Sequence, residues 1–328
     1  MNDTKELKKI ISPIIDDIKV FQQEFEDALR SEVRLINVIG KYLIRRKGKS
    51  IRPVLTILSA RLCGGTTINS YKAAAMLELL HMATLIHDDV VDQSKKRRGF
   101  PTVHRIWKSK ASVIMGDFLL SKVLTNLIKM RDFEALDLLS NTAERLSSGE
   151  MLQIERSFKK DMTEKIYFQM IKDKTAALIS TSCELGALTS SSGGDHRQTL
   201  KMYGENLGMA FQIKDDVFDI WGSEISTGKD TNIDVAKNMI TLPIIYVLNS
   251  NLSSAAKKQV KKTLSNGKSK KDLNRLKEIV FDGGGIDYAK DKINQFTDTA
   301  VSYLDQFPDN SYKQSMIDLA LYNAERTR

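Results

Sequence analysis

Six aspartates in two groups are the residues of this 328-residue chain whose types and spacing could do chemistry together. Asp88, Asp89 and Asp92 lie in LIHDDVVD, and Asp215, Asp216 and Asp219 lie in FQIKDDVFD. Residues three and four apart share a face of an α-helix, so each group presents its carboxylates side by side. Each group also closes an apolar helical run, where the helix macrodipole is negative and anions are disfavoured. A local rule broken in this way points to a functional site, and a divalent cation would relieve the repulsion. Two such helix ends in one bundle can aim six carboxylates at a common cavity, which cannot hold them without cations. Mg²⁺ suits the donors, because it takes hard oxygen ligands and binds through a few carboxylates plus substrate phosphates. No Cys/His set is spaced for zinc.

Cations for phosphate accompany the carboxylates. Lys49 and Arg52 come from GKSIRP, and His81 lies two turns before Asp88 on the same helix face. Arg97 and Arg98 follow the first group, and Lys174, Gln212 and Lys229 come from later segments. Arginine binds phosphate as a two-pronged fork and lysine as a point charge. Jointly these residues describe a deep helical cavity with magnesium carboxylates and cations for two diphosphates.

The elements that must position them read as helices throughout. Apolar residues at three- and four-residue spacing predict helices over 3–30, interrupted near Pro13, and over 31–46. A third opens at Ile51-Arg52-Pro53 and stops at Gly64-Gly65, and Asn69 or Ser70 is placed to cap the helix that carries the first acidic group. Beyond a polar loop at 93–104, helical patterns cover 109–130, 133–157, 163–189 and 195–221. A polar connection then leads to a short helix near Thr241, and Lys-rich amphipathic helices fill 251–328. No strand alternation stands out. The expectation is an all-α fold, with residues 1–328 forming a single domain.

Composition sets the remaining bounds. Five prolines and 18 glycines favour long helices. No uninterrupted apolar run reaches membrane-spanning length, and the N-terminus lacks a signal-peptide pattern. Cys63 and Cys183 read as reduced core residues of a cytoplasmic protein. The formal net charge of +9 fits nucleic acid, an anionic membrane surface or a polyanionic small substrate and by itself decides nothing, although no recognisable nucleic-acid-binding motif accompanies the basic clusters.

GKSIRP, ELLHMATLIHDDVVD, RRG, FQIKDD, and the later GK followed by TLP resemble the trans-isoprenyl diphosphate synthases. The resemblance implies the isoprenoid synthase fold, an orthogonal helix bundle around a deep central cavity, assembled as a homodimer. It implies condensation of an allylic diphosphate with isopentenyl diphosphate. By resemblance, Asp88 and Asp92 bind two Mg²⁺ ions and Asp215 leads the ligands of a third, with Asp89, Asp216 and Asp219 in support. Arg97, Lys174, Thr175, Gln212 and Lys229 map onto the allylic diphosphate, and Lys49, Arg52, His81 and Arg98 onto isopentenyl diphosphate. One departure is visible: many relatives carry a lysine just before the TLP turn, where this chain reads Lys237-Asn238-Met239-Ile240-Thr241.

Short-chain relatives often place an aromatic residue four or five positions before the first aspartate, as a floor to the product tunnel. Thr84 and Ala83 stand there in this chain. A missing floor implies a product longer than farnesyl, in the octaprenyl range used for quinone side chains, with a farnesyl or geranylgeranyl product as the alternative. A terpene cyclase would replace the second motif with an Asn/Asp, Ser/Thr and Glu set. The alternative of another class is a non-catalytic subunit of a heteromeric synthase; such subunits usually lose aspartates or phosphate-binding cations, nearly all of which this chain keeps.

Overall fold

A computed structural model describes residues 2–46, 48–159, 161–192, 196–221, 240–266 and 269–326. The helices are α1 (Asn2–Ile10), α2 (Ile15–Leu29), α3 (Arg34–Arg45), α4 (Ile51–Leu62) and α5 (Ile68–Val91). A pair of two-residue antiparallel strands, β1 (Lys96–Arg97) and β2 (Phe100–Pro101), follows. The chain continues through α6 (Val103–Met130), α7 (Phe133–Lys159), α8 (Glu164–Ile171), α9 (Ala177–Leu188) and α10 (Arg197–Trp221). Then come α11 (Leu242–Asn249), α12 (Ser254–Asn266), α13 (Lys270–Asp282), α14 (Gly285–Ser302) and α15 (Ser311–Glu325). The all-α expectation holds.

These elements form two compact units. The first holds residues 1–143, 178–204 and 303–319, and the second holds 144–177, 205–302 and 320–328. In the first, α5 packs against α2, α4 and α6, and its core includes the fully buried Phe21, Phe25, Leu55 and Leu77. Buried Asp17 ties α2 to α4 and α5: Arg61 donates to both of its oxygens, at 3.1 and 2.6 Å, and the Tyr71 hydroxyl donates at 2.5 Å. The core of the second unit joins Tyr167, Ile171, Ile213, Ile244, Val260, Leu276 and Ile293.

Local differences from expectation have physical causes. Pro13 falls in a short 3₁₀ turn between α1 and α2, dividing the expected first helix. The cap of α5 is Thr67, not Asn69 or Ser70, and Ser70 completes a reciprocal capping box. The expected helix over 163–189 is interrupted by a π-turn at Lys172–Ala176. The hairpin was too short for alternation to reveal: Arg98 and Gly99 both take positive φ, 51° and 79°, as a tight I′-type turn requires. By length and composition α6 could cross a bilayer, with 33% of its most apolar window buried. Lys110, Asp117 and Lys122 interrupt it, and Met115, Leu119, Val123 and Leu127 are buried on its inner side.

Candidate functional site

The first aspartate group closes α5, with Asp92 as the capping residue. Asp88 is half-buried and Asp92 exposed, whereas Asp89 is 5% exposed. Asp89 Oδ1 accepts from Arg97 Nε at 2.9 Å. Burial raises the Asp89 pKa, against the pull of the Arg97 guanidinium. The β1–β2 turn therefore serves two purposes, aligning Arg97 with Asp89 and turning Arg98 toward the chain around Gly48. A Cβ on Gly48 would lie 2.0 Å from Arg98 Nη1, so the glycine of GKSIRP makes room for that guanidinium. Arg52 Nη1 donates to His81 Nε2 at 3.0 Å. Arginine cannot accept, so the imidazole proton belongs on Nδ1. Burial, then Arg52, Arg98 and Arg97, hold the His81 pKa well below its usual value. These side chains line a cavity of about 100 Å³ within the first unit, with Arg52, His81, Asp89, Arg97 and Arg98 on its wall. Lys49 is exposed in the loop before α4.

The second unit holds the other group at the end of α10. Asp216 is 4% exposed and accepts from Tyr167 Oη and Gln212 Nε2, each at 2.7 Å. Burial pushes its pKa up to about 7, and those two hydrogen bonds restrain the rise. Asp215 and Asp219 are half-buried. Thr175 donates to Gln212 Oε1 at 2.6 Å, so a chain of hydrogen bonds joins the π-turn to the aspartates. Lys174, also in the π-turn, meets Glu150 at 2.5 Å and Gln153 at 2.9 Å on α7. Gly149 permits that approach: a Cβ there would lie 2.7 Å from the Lys174 backbone nitrogen. Arg145 fixes neighbouring Asp173 at 2.8 Å.

Each unit thus gathers part of the expected set. Lys229 and Lys237 lie outside the described residues. Ala83 is fully buried in α5, and Thr84 donates to the His81 carbonyl at 2.8 Å. Sequence reading missed Tyr167, Glu150, Gln153 and Arg145, which orient the expected residues from other helices. The one available signal was the Gly149-Glu150 pair followed by Gln153, a turn of small and polar residues on an otherwise amphipathic helix.

Among the described residues, no three His, Cys, Asp or Glu side chains converge as a ready-made metal cage. The accessible carboxylates nevertheless fit Mg²⁺, which prefers one or two carboxylates and completes its shell with water and phosphate.

Residues 33–280 match the polyprenyl synthetase family model. The chain belongs to the polyprenyl synthetase family. It is 31% identical over 324 residues to an all-trans-nonaprenyl-diphosphate synthase (geranyl-diphosphate specific) of Rhodobacter capsulatus, covering 97% of each chain. It is 32% identical over 331 residues to a geranylgeranyl diphosphate synthase of Saccharolobus solfataricus, covering 95% of this chain and 99% of that one. A crystal structure of a Caulobacter crescentus polyprenyl synthase, complexed with calcium and isoprenyl diphosphate, superposes with a TM-score of 0.91 at 29% identity, covering 98% of each chain. Like its family, this polyprenyl synthetase has the all-α isoprenoid synthase fold and is a trans-prenyltransferase; the family uses allylic diphosphate and isopentenyl diphosphate as substrates. The family is Mg²⁺-dependent.

Proposed function

We propose that this synthase extends its allylic primer to a product in the octaprenyl range, with Asp88, Asp92 and Asp215 as its principal metal ligands. One observation carries the residue assignment. In both motifs the middle aspartate is buried and bonded to protein partners, while its neighbours keep access to solvent. Asp88 and Asp92 then hold two Mg²⁺ ions against the allylic diphosphate and Asp215 leads the ligands of a third, with Asp89, Asp216 and Asp219 in support. When bound, the ions neutralise charge developing on the departing diphosphate. The Caulobacter relative, solved with calcium and isoprenyl diphosphate, supports this pairing of cation and diphosphate.

Arg97, Lys174, Thr175, Gln212 and Lys229 bind the allylic diphosphate. Glu150 and Gln153 hold the Lys174 ammonium in place, and Asp89 does the same for one edge of the Arg97 guanidinium. Lys49, Arg52, His81 and Arg98 bind isopentenyl diphosphate, for which neutral His81 serves as a hydrogen-bonding group. The apolar walls exclude water, so the allylic cation meets the isopentenyl double bond and escapes quenching to an alcohol. The departing diphosphate takes the proton that is then lost.

Relatives of similar identity make nonaprenyl and geranylgeranyl products, so identity alone leaves product length open. Small Ala83 and Thr84, one turn before Asp88, support the longer product. We read the two units as one catalytic domain, since the family match runs through residues of both. The protein works as a homodimer in the cytoplasm; exposed Val113, Ile114, Leu124 and Ile128 along one stripe of α6 and buried thiols at Cys63 and Cys183 support this. The deciding experiment is Mg²⁺-dependent incorporation of isopentenyl diphosphate with geranyl and farnesyl primers, products resolved by length. Absence of incorporation with every primer overturns the reading, and a ladder that stops at geranylgeranyl removes the octaprenyl assignment.

A further inference from the structure

Asp215 has a partner that neither motif spacing nor the family pattern supplied. Arg326, just beyond α15, donates from Nη2 to Asp215 Oδ1 at 2.5 Å. Its Nε donates to Asn323 Oδ1 at 3.1 Å, and Nη2 also reaches the Phe211 carbonyl at 3.5 Å. The guanidinium carbon lies 4.4 Å from the Phe211 ring centroid and 5.3 Å from that of Phe218. A second tie runs in the opposite direction. Lys214, next to Asp215, donates from Nζ to the Ala324 carbonyl at 2.6 Å.

We propose that residues 323–326 are a strap that orients the second aspartate motif, with Arg326 the positioning residue for Asp215. This rests on the proposed role of Asp215 as a metal ligand. A displaceable counter-ion would sit loosely in solvent, but the Arg326 side chain is 11% exposed against 31% for Asp215. It is held by a carbonyl, an amide oxygen and two aromatic faces besides the carboxylate. Such a group stays in place when a cation arrives. Because Arg326 engages Oδ1, a metal ion would take Oδ2, and the carboxylate plane is fixed before the ion binds. Hydrogen bonds of this kind to a ligating carboxylate are typically worth about 10- to 100-fold in metal affinity.

The test is Mn²⁺ binding in the presence of inorganic diphosphate, followed by electron paramagnetic resonance for wild type, Arg326→Ala, Arg326→Lys, Lys214→Met and Asp215→Ala. Arg326→Ala should bind the ion about 10- to 100-fold more weakly, with Arg326→Lys between it and wild type. The KM for the allylic diphosphate should rise in parallel, with the KM for isopentenyl diphosphate unchanged. Lys214→Met should weaken binding in the same direction by a smaller factor. Unchanged or tighter Mn²⁺ binding in Arg326→Ala overturns the proposal, tighter binding because it marks Arg326 as a competitor of the ion. If that variant fails to fold, Arg326→Lys carries the test, and wild-type affinity in it counts against the strap. Asp215→Ala separates the two premises. If its Mn²⁺ affinity is unchanged, the metal role of Asp215 falls; if it loses affinity while Arg326→Ala does not, only the strap falls.

Discussion

His81 Nε2 accepts from the Arg52 guanidinium at 3.0 Å, beside two further arginines that also disfavour its protonation. Its folded pKa lies well below 6.5, whereas in the unfolded chain the imidazole takes up a proton below about 6.5. The unfolded state therefore binds more protons at acidic pH. The His81 contribution to stability is present above about pH 6.5 and lost as pH falls below it. Denaturation midpoints measured across the acidic range should decline in wild type and decline less steeply in His81→Gln. At Asp88, substitution by alanine should lower kcat by more than roughly 100-fold, since the metals supply several kcal/mol of charge stabilisation. Steady-state assays at saturating Mg²⁺ check this. Ala83→Tyr should shorten the product ladder; an unchanged ladder would exclude Ala83 from the tunnel wall. Aspartate spacing and the GKSIRP and FQIKDD motifs were legible because they depend on neighbours three or four residues away. Tyr167 with Asp216, or Arg326 with Asp215, was not, because those pairs are 49 and 111 residues apart and form only in the folded chain.

At the scale of elements, the π-turn at Lys172–Ala176 explains how Lys174 and Thr175 face different partners. Thr175 reaches Gln212 on α10, while Lys174 reaches Glu150 and Gln153 on α7. π-turns inside helices are rare and occur frequently at functional sites. Hydrophobic periodicity could not show this one, since KDKTA has no apolar pattern of its own to shift. Helix existence was well marked, because apolar spacing is a local property, and helix ends were less so. Thr67 won the cap of α5 from Asn69 and Ser70 through its reciprocal bond with Ser70. Gly149 should be intolerant of side chains for the reason already visible in its approach to Lys174. Gly149→Ala would gain helix propensity, but its Cβ at 2.7 Å from a backbone nitrogen forces the two elements apart. We expect a net loss of about 1–3 kcal/mol, typical of overpacking. Thermal unfolding should show it, together with a raised KM for the allylic diphosphate.

On the scale of the molecule, the exposed stripe of α6 sets the assembly prediction. Single exposed apolar side chains are ordinary, but Val113, Ile114, Leu124 and Ile128 share one side of a helix whose opposite side is buried. In a two-fold dimer the same stripe would pack on its copy. Ile114→Asp should therefore shift the protein from dimer to monomer in sedimentation equilibrium, without changing its helical circular dichroism. The sequence supported a helical protein of one domain, but not the division of its contacts into two units. Periodicity reports which face of a helix is apolar and says nothing about which distant helix covers it. That division has a consequence during synthesis. Each unit is assembled from three separate stretches of chain, and residues 303–319 complete one while 320–328 belong to the other. Neither unit is finished when its earlier stretches leave the ribosome: on α10, Tyr203 meets the Met316 carbonyl and Asp215 meets Arg326 only once the last stretches of chain have been made. A stalled or prematurely terminated chain lacking α15 would thus be a substrate for chaperones and proteases rather than a smaller enzyme.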